Sequence, residues 1–191
     1  MGKHVSAGPG RIFVISAPSG TGKTTIAARL AREIPSLHSV TTVTTRSPRR
    51  GERDGTDYHF VTRRAFEEMI EEGRFAEWAE VYGNYYGTPL RPLLDTVDSG
   101  KSALLCIDTQ GGINIRKRFP ESLLIAVLPP SLPEQERRIR RRSRMPEKEI
   151  RNRLEAARSE RKTLRTYDYR VINRTLETTI RKIRDIIEDE R

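Results

Sequence analysis

Apolar positions recur along this chain in two alternating rhythms. Short continuous runs over residues 11–16 (RIFVIS), 103–107 (ALLCI) and 123–128 (LLIAVL) read as strands, the last two buried on both faces of a sheet. Between them, apolar residues fall at helical spacing. Residues 23–34 form one such helix, stopped by Pro35. In residues 176–187, Leu176, Ile180, Ile183 and Ile187 share one stripe, which reads as core packing. Ser131 opens a further helix, residues 147–165 form a long charged one, and residues 169–172 add a last short strand. Strands alternating with helices predict an α/β fold, with a parallel sheet flanked by helices.

The stretch 40–86 breaks that alternation. Residues 40–45, rich in Val and Thr, predict one strand, and residues 46–57 predict a loop around Pro48, Gly51 and Gly55. Residues 58–61 form a short strand. Thr62 is placed to cap a helix whose Phe66, Met69 and Ile70 share a face, with Gly73 closing it. Residues 75–81 read as a strand ending in a turn at Gly83-Asn84, and residues 89–97 as a short helix closed by Gly100. The segment reads as an insertion into a single domain over residues 11–189. Residues 1–10 lack the apolar region of a signal peptide and read as a flexible leader. No run approaches the ~20 apolar residues that span a bilayer.

The first strand–helix junction carries the clearest chemistry. It reads Ala17-Pro18-Ser19-Gly20-Thr21-Gly22-Lys23-Thr24, a P-loop pattern with alanine at its first glycine position. Glycines let backbone N–H groups converge on phosphate oxygens, and the following helix N-terminus adds partial positive charge. Lys23 can reach β- and γ-phosphates, and Thr24 can offer its hydroxyl to Mg2+. Such a loop identifies a nucleoside triphosphate site without naming the acceptor.

The inserted segment bears on the acceptor. Arg46 and Arg49, three apart with Pro48 between, can place two guanidinium forks on one anion, and tyrosine hydroxyls can add bonds to the same phosphate. A carboxylate such as Glu77 can accept a pair of N–H donors. Guanine presents such a pair at N1 and N2, and adenine does not. Taken alone, TTRSPRRGE reads equally well as a solvated basic loop. The net charge of +10 attracts polyanions in general, and its densest stretch is Arg137, Arg138, Arg140, Arg141, Arg142 and Arg144. The single cysteine, Cys106, cannot form an internal disulfide, which fits a reducing cytoplasm, and its apolar run makes it a core thiol. His4, His38 and His59 show no metal-ligand spacing.

The motifs SAPSGTGKT, TTRSPRRGE, DGTDYHF, FAEWAEVYGNYYGT and IDTQG, in this order and spacing, closely resemble guanylate kinase. The resemblance covers most of the chain. It implies transfer of the ATP γ-phosphoryl group to GMP, with Mg2+ as cofactor. It also implies a P-loop core over about 11–38, 101–130 and 166–189, a mobile GMP-binding lobe over about 39–98 and an arginine-rich lid over about 131–165. By the same resemblance, Arg46, Arg49, Tyr58 and Tyr86 match positions that grip the GMP phosphate, with Glu52 beside those arginines. Thr42, Glu77 and Thr88 match positions near the guanine base. Asp108 matches an acidic residue close to Mg2+ and the acceptor, and Asn173 a position at adenine. Arg138, Arg142 and Arg153 match arginines that neutralise the transferring group together with Lys23, whereas Arg140, Arg141 and Arg144 read as solvated. Cys106 stands where the family's pattern usually has an acid.

Two other classes share parts of this pattern. A kinase for another small phosphorylated acceptor would keep the P-loop but lose the base-reading segment around Glu77. A non-catalytic binding module on the same fold would lose Lys23 and Thr24. The expected protein acts on ATP and GMP, needs no nucleic acid or membrane, and works in the cytoplasm. Its oligomeric state stays open, with a homo-oligomer among the options.

Overall fold

The computed structural model describes residues 10–18, 21–142 and 146–191, the side chains of Arg142 and Glu149 excepted. The elements run β1 (Ile12–Ser16), α1 (Lys23–Glu33), β2 (Leu37–Ser39), β3 (Val43–Thr44), β4 (His59–Phe60), α2 (Arg63–Glu71), β5 (Phe75–Val81), β6 (Asn84–Pro89), α3 (Leu90–Asp98) and β7 (Ser102–Cys106). There follow α4 (Thr109–Arg118), β8 (Leu123–Leu128), α5 (Leu132–Arg142), α6 (Glu147–Thr163), a 3-10 turn (Leu164–Thr166), β9 (Tyr169–Ile172) and α7 (Leu176–Asp189). The leader through residue 9, Ser19, Gly20, Ser143 and Arg144 lie outside the described residues.

β1 shows why the main sheet is buried on both sides. Phe13 and Ile15 point to one face, where they pack with Ile26 and Leu30 of α1 and Ile180, Ile183 and Ile187 of α7. Ile12 and Val14 point to the other, against Leu93 of α3, Ile115 of α4 and Leu164. Each face excludes water, so the strand has no polar side to present. The sheet is parallel throughout, in the order β2-β7-β1-β8-β9. β1 therefore lies between β7 and β8, and its carboxyl end opens onto a crevice between two chain crossovers.

The inserted segment builds a second sheet, β4-β3-β6-β5, over its own small core of Val43, Phe66 and Phe75. Phe66 of α2 stacks on Phe75 with ring centroids 4.4 Å apart. Thr62 caps α2 as its sequence predicts, accepting a hydrogen bond from the Ala65 N–H.

Four details differ from the sequence reading. The strand expected over 40–45 is shorter, Val43–Thr44 in the second sheet, and Leu37–Ser39 just before it forms a further strand in the main sheet. The hairpin turn is Tyr82-Gly83 rather than Gly83-Asn84, since Val81 pairs with Asn84 across it. Asn84–Pro89 is itself a strand, β6, in a stretch whose tyrosines read as binding residues rather than as sheet. Helix α4 was not foreseen, because Gly111 and Gly112 weaken its signal. Asp108 supplies what propensity lacks, accepting from both the Gln110 and Gly111 N–H groups at the helix start.

Gly112 is needed for a close approach. A Cβ there would lie 2.0 Å from the Tyr167 hydroxyl oxygen and 3.2 Å from Leu124 Cδ2. Tyr167 is buried and donates to Ser16 Oγ at 3.0 Å, so its ring has little room to retreat. Gly112→Ala is expected to cost about 2 kcal/mol by overpacking. For a domain of this size that is a fall of roughly 6 °C in Tm, measurable by thermal melting.

Candidate active site

The crevice at the end of β1 begins with the phosphate loop. Ala17 and Pro18 turn inward, Ala17 joining the core on the α1 side of the sheet, so the position where glycine is usual carries a methyl that packs. Thr21 fastens the loop through its hydroxyl, which donates to Pro18 O at 2.7 Å. Asn173, at the end of β9, reinforces it by donating Nδ2 to Thr21 O at 2.7 Å while accepting from the Thr179 hydroxyl at 3.0 Å. Gly22 stands at the α1 N-cap with φ 91°, a left-handed conformation that suits glycine, and no side chain caps the helix. The first turn of α1 thus presents uncapped N–H groups where an anion is favoured. Lys23 extends from that turn and donates Nζ to Ile107 O at 2.7 Å, which holds the ammonium beside Asp108. Thr24 is exposed on the same turn.

A cavity of about 400 Å3 joins this loop to the second sheet. Lys23, Cys106, Ile107 and Asp108 line it from the main sheet and α1, Thr42, Arg46, Arg49, Tyr58, Glu77, Tyr82 and Tyr86 from the inserted segment, and Arg153 from α6. Cys106, expected as a core thiol, is half-buried and faces this cavity, because it ends β7 at the crevice. Burial raises its thiol pKa and Lys23 opposes that.

The arginines are prepositioned by an acid. Glu52 accepts from Arg46 Nη1 at 2.9 Å and Nη2 at 3.0 Å, and from the Arg49 backbone N–H at 2.7 Å. Burial works against the Glu52 carboxylate, yet these donors hold it below its ordinary range. Arg46 also lies 5.4 Å from the Tyr58 ring centroid, and Tyr58 meets Tyr86 edge-on at 6.1 Å. Two guanidiniums and two phenols therefore converge on one wall.

Glu77 lines the same cavity from β5. It is buried, and Thr88 donates its hydroxyl to Glu77 Oε1 at 2.6 Å. A Cβ on Gly111 would lie 2.7 Å from Glu77 Oε2, so that glycine admits the carboxylate to the start of α4. Burial pushes the Glu77 carboxyl up to about 7, with Thr88 pulling it back, Asp108 adding to the rise and Lys23 opposing it.

A neighbouring cavity of about 360 Å3 is lined by Thr21, Gly22, Thr25, Arg137, Arg138, Arg141, Asn173 and Arg174, together with Glu134 and Leu176. Arg138 donates Nε to Glu134 at 2.7 Å and reaches Asn173 O at 3.4 Å. Arg140 pairs with Glu136 and Glu147 away from both cavities. Arg138 and Arg153 thus approach the crevice from two directions. The Arg142 side chain, expected beside them, lies outside the described residues.

Three contributors escaped sequence reasoning. Tyr82 lines the acceptor-side cavity from the hairpin turn. Glu160, on α6, has a buried Oε2 without a hydrogen-bond partner, and burial pushes its carboxyl up to about 7. Tyr167 ties β1 to α4 through Ser16 Oγ and Thr109 O. Glu160 was hidden because a charged helix offers many equivalent acids. The i+7 spacing from Arg153, two turns along one face, was the available signal. Among the described residues no cluster of three or more His, Cys, Asp or Glu could hold a metal. Among the described residues no helix is long and apolar enough to cross a membrane.

A parallel α/β core with a phosphate-binding loop, facing an arginine- and carboxylate-lined acceptor cavity, defines a nucleotide phosphotransferase. The guanylate kinase family model matches residues 9–190. The guanylate kinase of Myxococcus xanthus is 46% identical over 185 residues, covering 96% of this chain and 88% of that one. That of Anaeromyxobacter dehalogenans is 45% identical, covering 96% and 82%. The crystal structure of guanylate kinase from Anaplasma phagocytophilum superposes with a TM-score of 0.79 at 35% identity, over 95% of this chain and 86% of that one. This chain belongs to the guanylate kinase family.

Proposed function

We infer that this chain transfers the γ-phosphoryl group of ATP to GMP, giving ADP and GDP. The observation that carries the acceptor is Glu77: a buried carboxylate, already bonded to Thr88, on the same cavity as Arg46 and Arg49. An ionised carboxylate there accepts the N1 and N2 hydrogens of guanine, which no other common base offers together. Thr42 and Thr88 add hydroxyls at the base. Arg46, Arg49, Tyr58 and Tyr86 hold the acceptor phosphate, with Glu52 fixing the fork of Arg46.

On the donor side, the loop formed by Ala17, Pro18, Ser19, Gly20, Thr21, Gly22, Lys23 and Thr24 wraps the ATP phosphates, and Asn173 borders the adenine. A GMP phosphate oxygen attacks the γ-phosphorus, the bond to the β,γ-bridging oxygen breaks, and ADP leaves carrying that electron pair. Little covalent work falls to the protein; alignment and neutralisation of charge dominate. Lys23, Arg138, Arg142 and Arg153 supply the neutralisation.

The donor set suits Mg2+. Asp108 uses Oδ1 to accept from Gln110 and Gly111 while lining the cavity, and Thr24 exposes its hydroxyl. One carboxylate and one hydroxyl fit an ion held chiefly by substrate phosphates and water. Held by Asp108 and Thr24, Mg2+ would shield the charge of the substrate phosphates. Residues 39–98 and 131–165 are read as the two parts that close over GMP and ATP, and a cytoplasmic location belongs to the same reading.

Chromatographic analysis of the products tests the reaction: equal amounts of ADP and GDP are expected from ATP, GMP and Mg2+, and none with EDTA. Glu52→Ala is expected to raise KM for GMP about tenfold, the loss of one charge-assisted network, with kcat less affected. Steady-state kinetics with GMP varied measures both.

A further inference from the structure

We propose that Tyr82 is a positioning residue that joins the tip of the β5–β6 hairpin to helix α6 and holds Arg153 over the acceptor cavity. The proposal rests on the reading of Arg153 as a group that neutralises the transferring phosphoryl. Tyr82 has φ 51°, and it is the one non-glycine residue with positive φ among the described residues. That conformation costs a bulky side chain about 1 kcal/mol or more, and the first position of such a two-residue turn suits Asn, Asp or Gly. The ring gives no obvious local return for that cost. It is 54% exposed and takes no part in the small core of Val43, Phe66 and Phe75.

Its contact lies elsewhere. The Arg153 guanidinium carbon is 5.5 Å from the Tyr82 ring centroid, within cation–π range. Both side chains line the cavity that Lys23 and Asp108 also line. Burial first, then the Glu160 carboxylate, raises the Tyr82 hydroxyl pKa and Arg153 opposes that, and the neutral phenol offers Arg153 a ring face. Tyr82 sits in the turn that joins the strands carrying Glu77 and Tyr86, while α6 follows the arginine-rich helix α5. One contact therefore connects the acceptor-binding half with the half that delivers a cation to the reacting group. A residue in that place sets where Arg153 stands when both substrates are bound. It does not itself hold either substrate.

The test compares Tyr82→Gly, Tyr82→Phe, Arg153→Ala and the Tyr82→Gly/Arg153→Ala double variant, reading kcat, both KM values and Tm. Tyr82→Gly removes the ring and the backbone strain together. It is expected to lower kcat roughly tenfold, with KM for ATP and GMP within about twofold and Tm no more than about 2 °C below the parent. Tyr82→Phe keeps the ring and is expected to restore kcat to within about twofold of the parent. Arg153→Ala is expected to lose about a hundredfold, and adding Tyr82→Gly to it is expected to change nothing further. If Tyr82→Gly keeps the parent kcat while Arg153→Ala loses it, the positioning role is overturned and the reading of Arg153 stands. An Arg153→Ala variant with parent kcat would overturn the reading of Arg153 and this proposal with it. Equal losses in Tyr82→Phe and Tyr82→Gly would show that the hydroxyl acts, not the ring, and would also overturn it.

Discussion

Lys23→Met is expected to lower kcat by about a thousandfold, the scale of removing one preorganised charge from a transition state. Methionine keeps an unbranched stem of similar length and removes the donor. The ammonium sits on the first turn of α1, donates to Ile107 O at 2.7 Å and lines the cavity with Asp108, so it stands where the phosphate loop meets that cavity. No residue of the apolar core depends on it, so Tm should move by no more than about 3 °C, the worth of one hydrogen bond at a partly exposed site. ADP release at saturating ATP and GMP, paired with a thermal melt, measures both. A folded variant within tenfold of the parent would remove Lys23 from the catalytic group.

Glu77→Gln is expected to have opposite effects on activity and stability. Glutamine keeps an acceptor for the Thr88 hydroxyl but puts an NH2 where guanine also presents N–H. Two donors then face each other, and kcat/KM for GMP should fall about a hundredfold or more. Burial raises the Glu77 carboxyl to about 7, so in the parent the accepting form is lost as pH falls below that value. The parent's kcat/KM for GMP should accordingly decline below neutrality. GMP's own phosphate titrates near pH ~6 in both proteins, so the difference between the two profiles isolates Glu77. Stability runs the other way. Between the ordinary value of 4.5 and about 7, the folded chain keeps a proton that the unfolded chain has released. Folding stability therefore falls as pH rises through that window, by roughly 3 kcal/mol at most. Glutamine removes that penalty, so the variant's Tm should exceed the parent's at pH 8 and match it near pH 4.5. A pH series of thermal melts decides this, and equal Tm at pH 8 would mean that Glu77 is not destabilised by burial.

The parts of this molecule that were legible in its sequence are those with strong local signals. β1, α1, β7, β8 and α7 announce themselves by unbroken apolar runs or a helical stripe, because the main sheet is buried on both faces. Lys23 and its loop are equally plain, since phosphate binding demands glycine and lysine at fixed spacing. What stayed hidden depends on partners distant in the chain. α4 has two glycines near its start, and only the packing of Tyr167 and the carboxylate of Glu77 explain them. β2 is three residues long and exists because β7 lies beside it. Tyr82 looked like a residue next to a turn, and its meaning comes from Arg153 on another element. Cys106 read as core from its neighbours, yet the end of a buried strand is also the edge of a crevice. In each case the missing information was what stands across the gap.

In the proposed reaction one cavity holds guanine at Glu77 and presents its monophosphate to the phosphate loop. Initial rates of ADP release with ATP and Mg2+, measured in parallel with GMP, AMP, CMP and UMP at equal concentration, test it most directly. kcat/KM for GMP is expected to exceed each of the others by at least about a hundredfold, the discrimination available to a buried group left unpaired by the wrong base. Turnover of AMP, CMP or UMP as fast as GMP would contradict it.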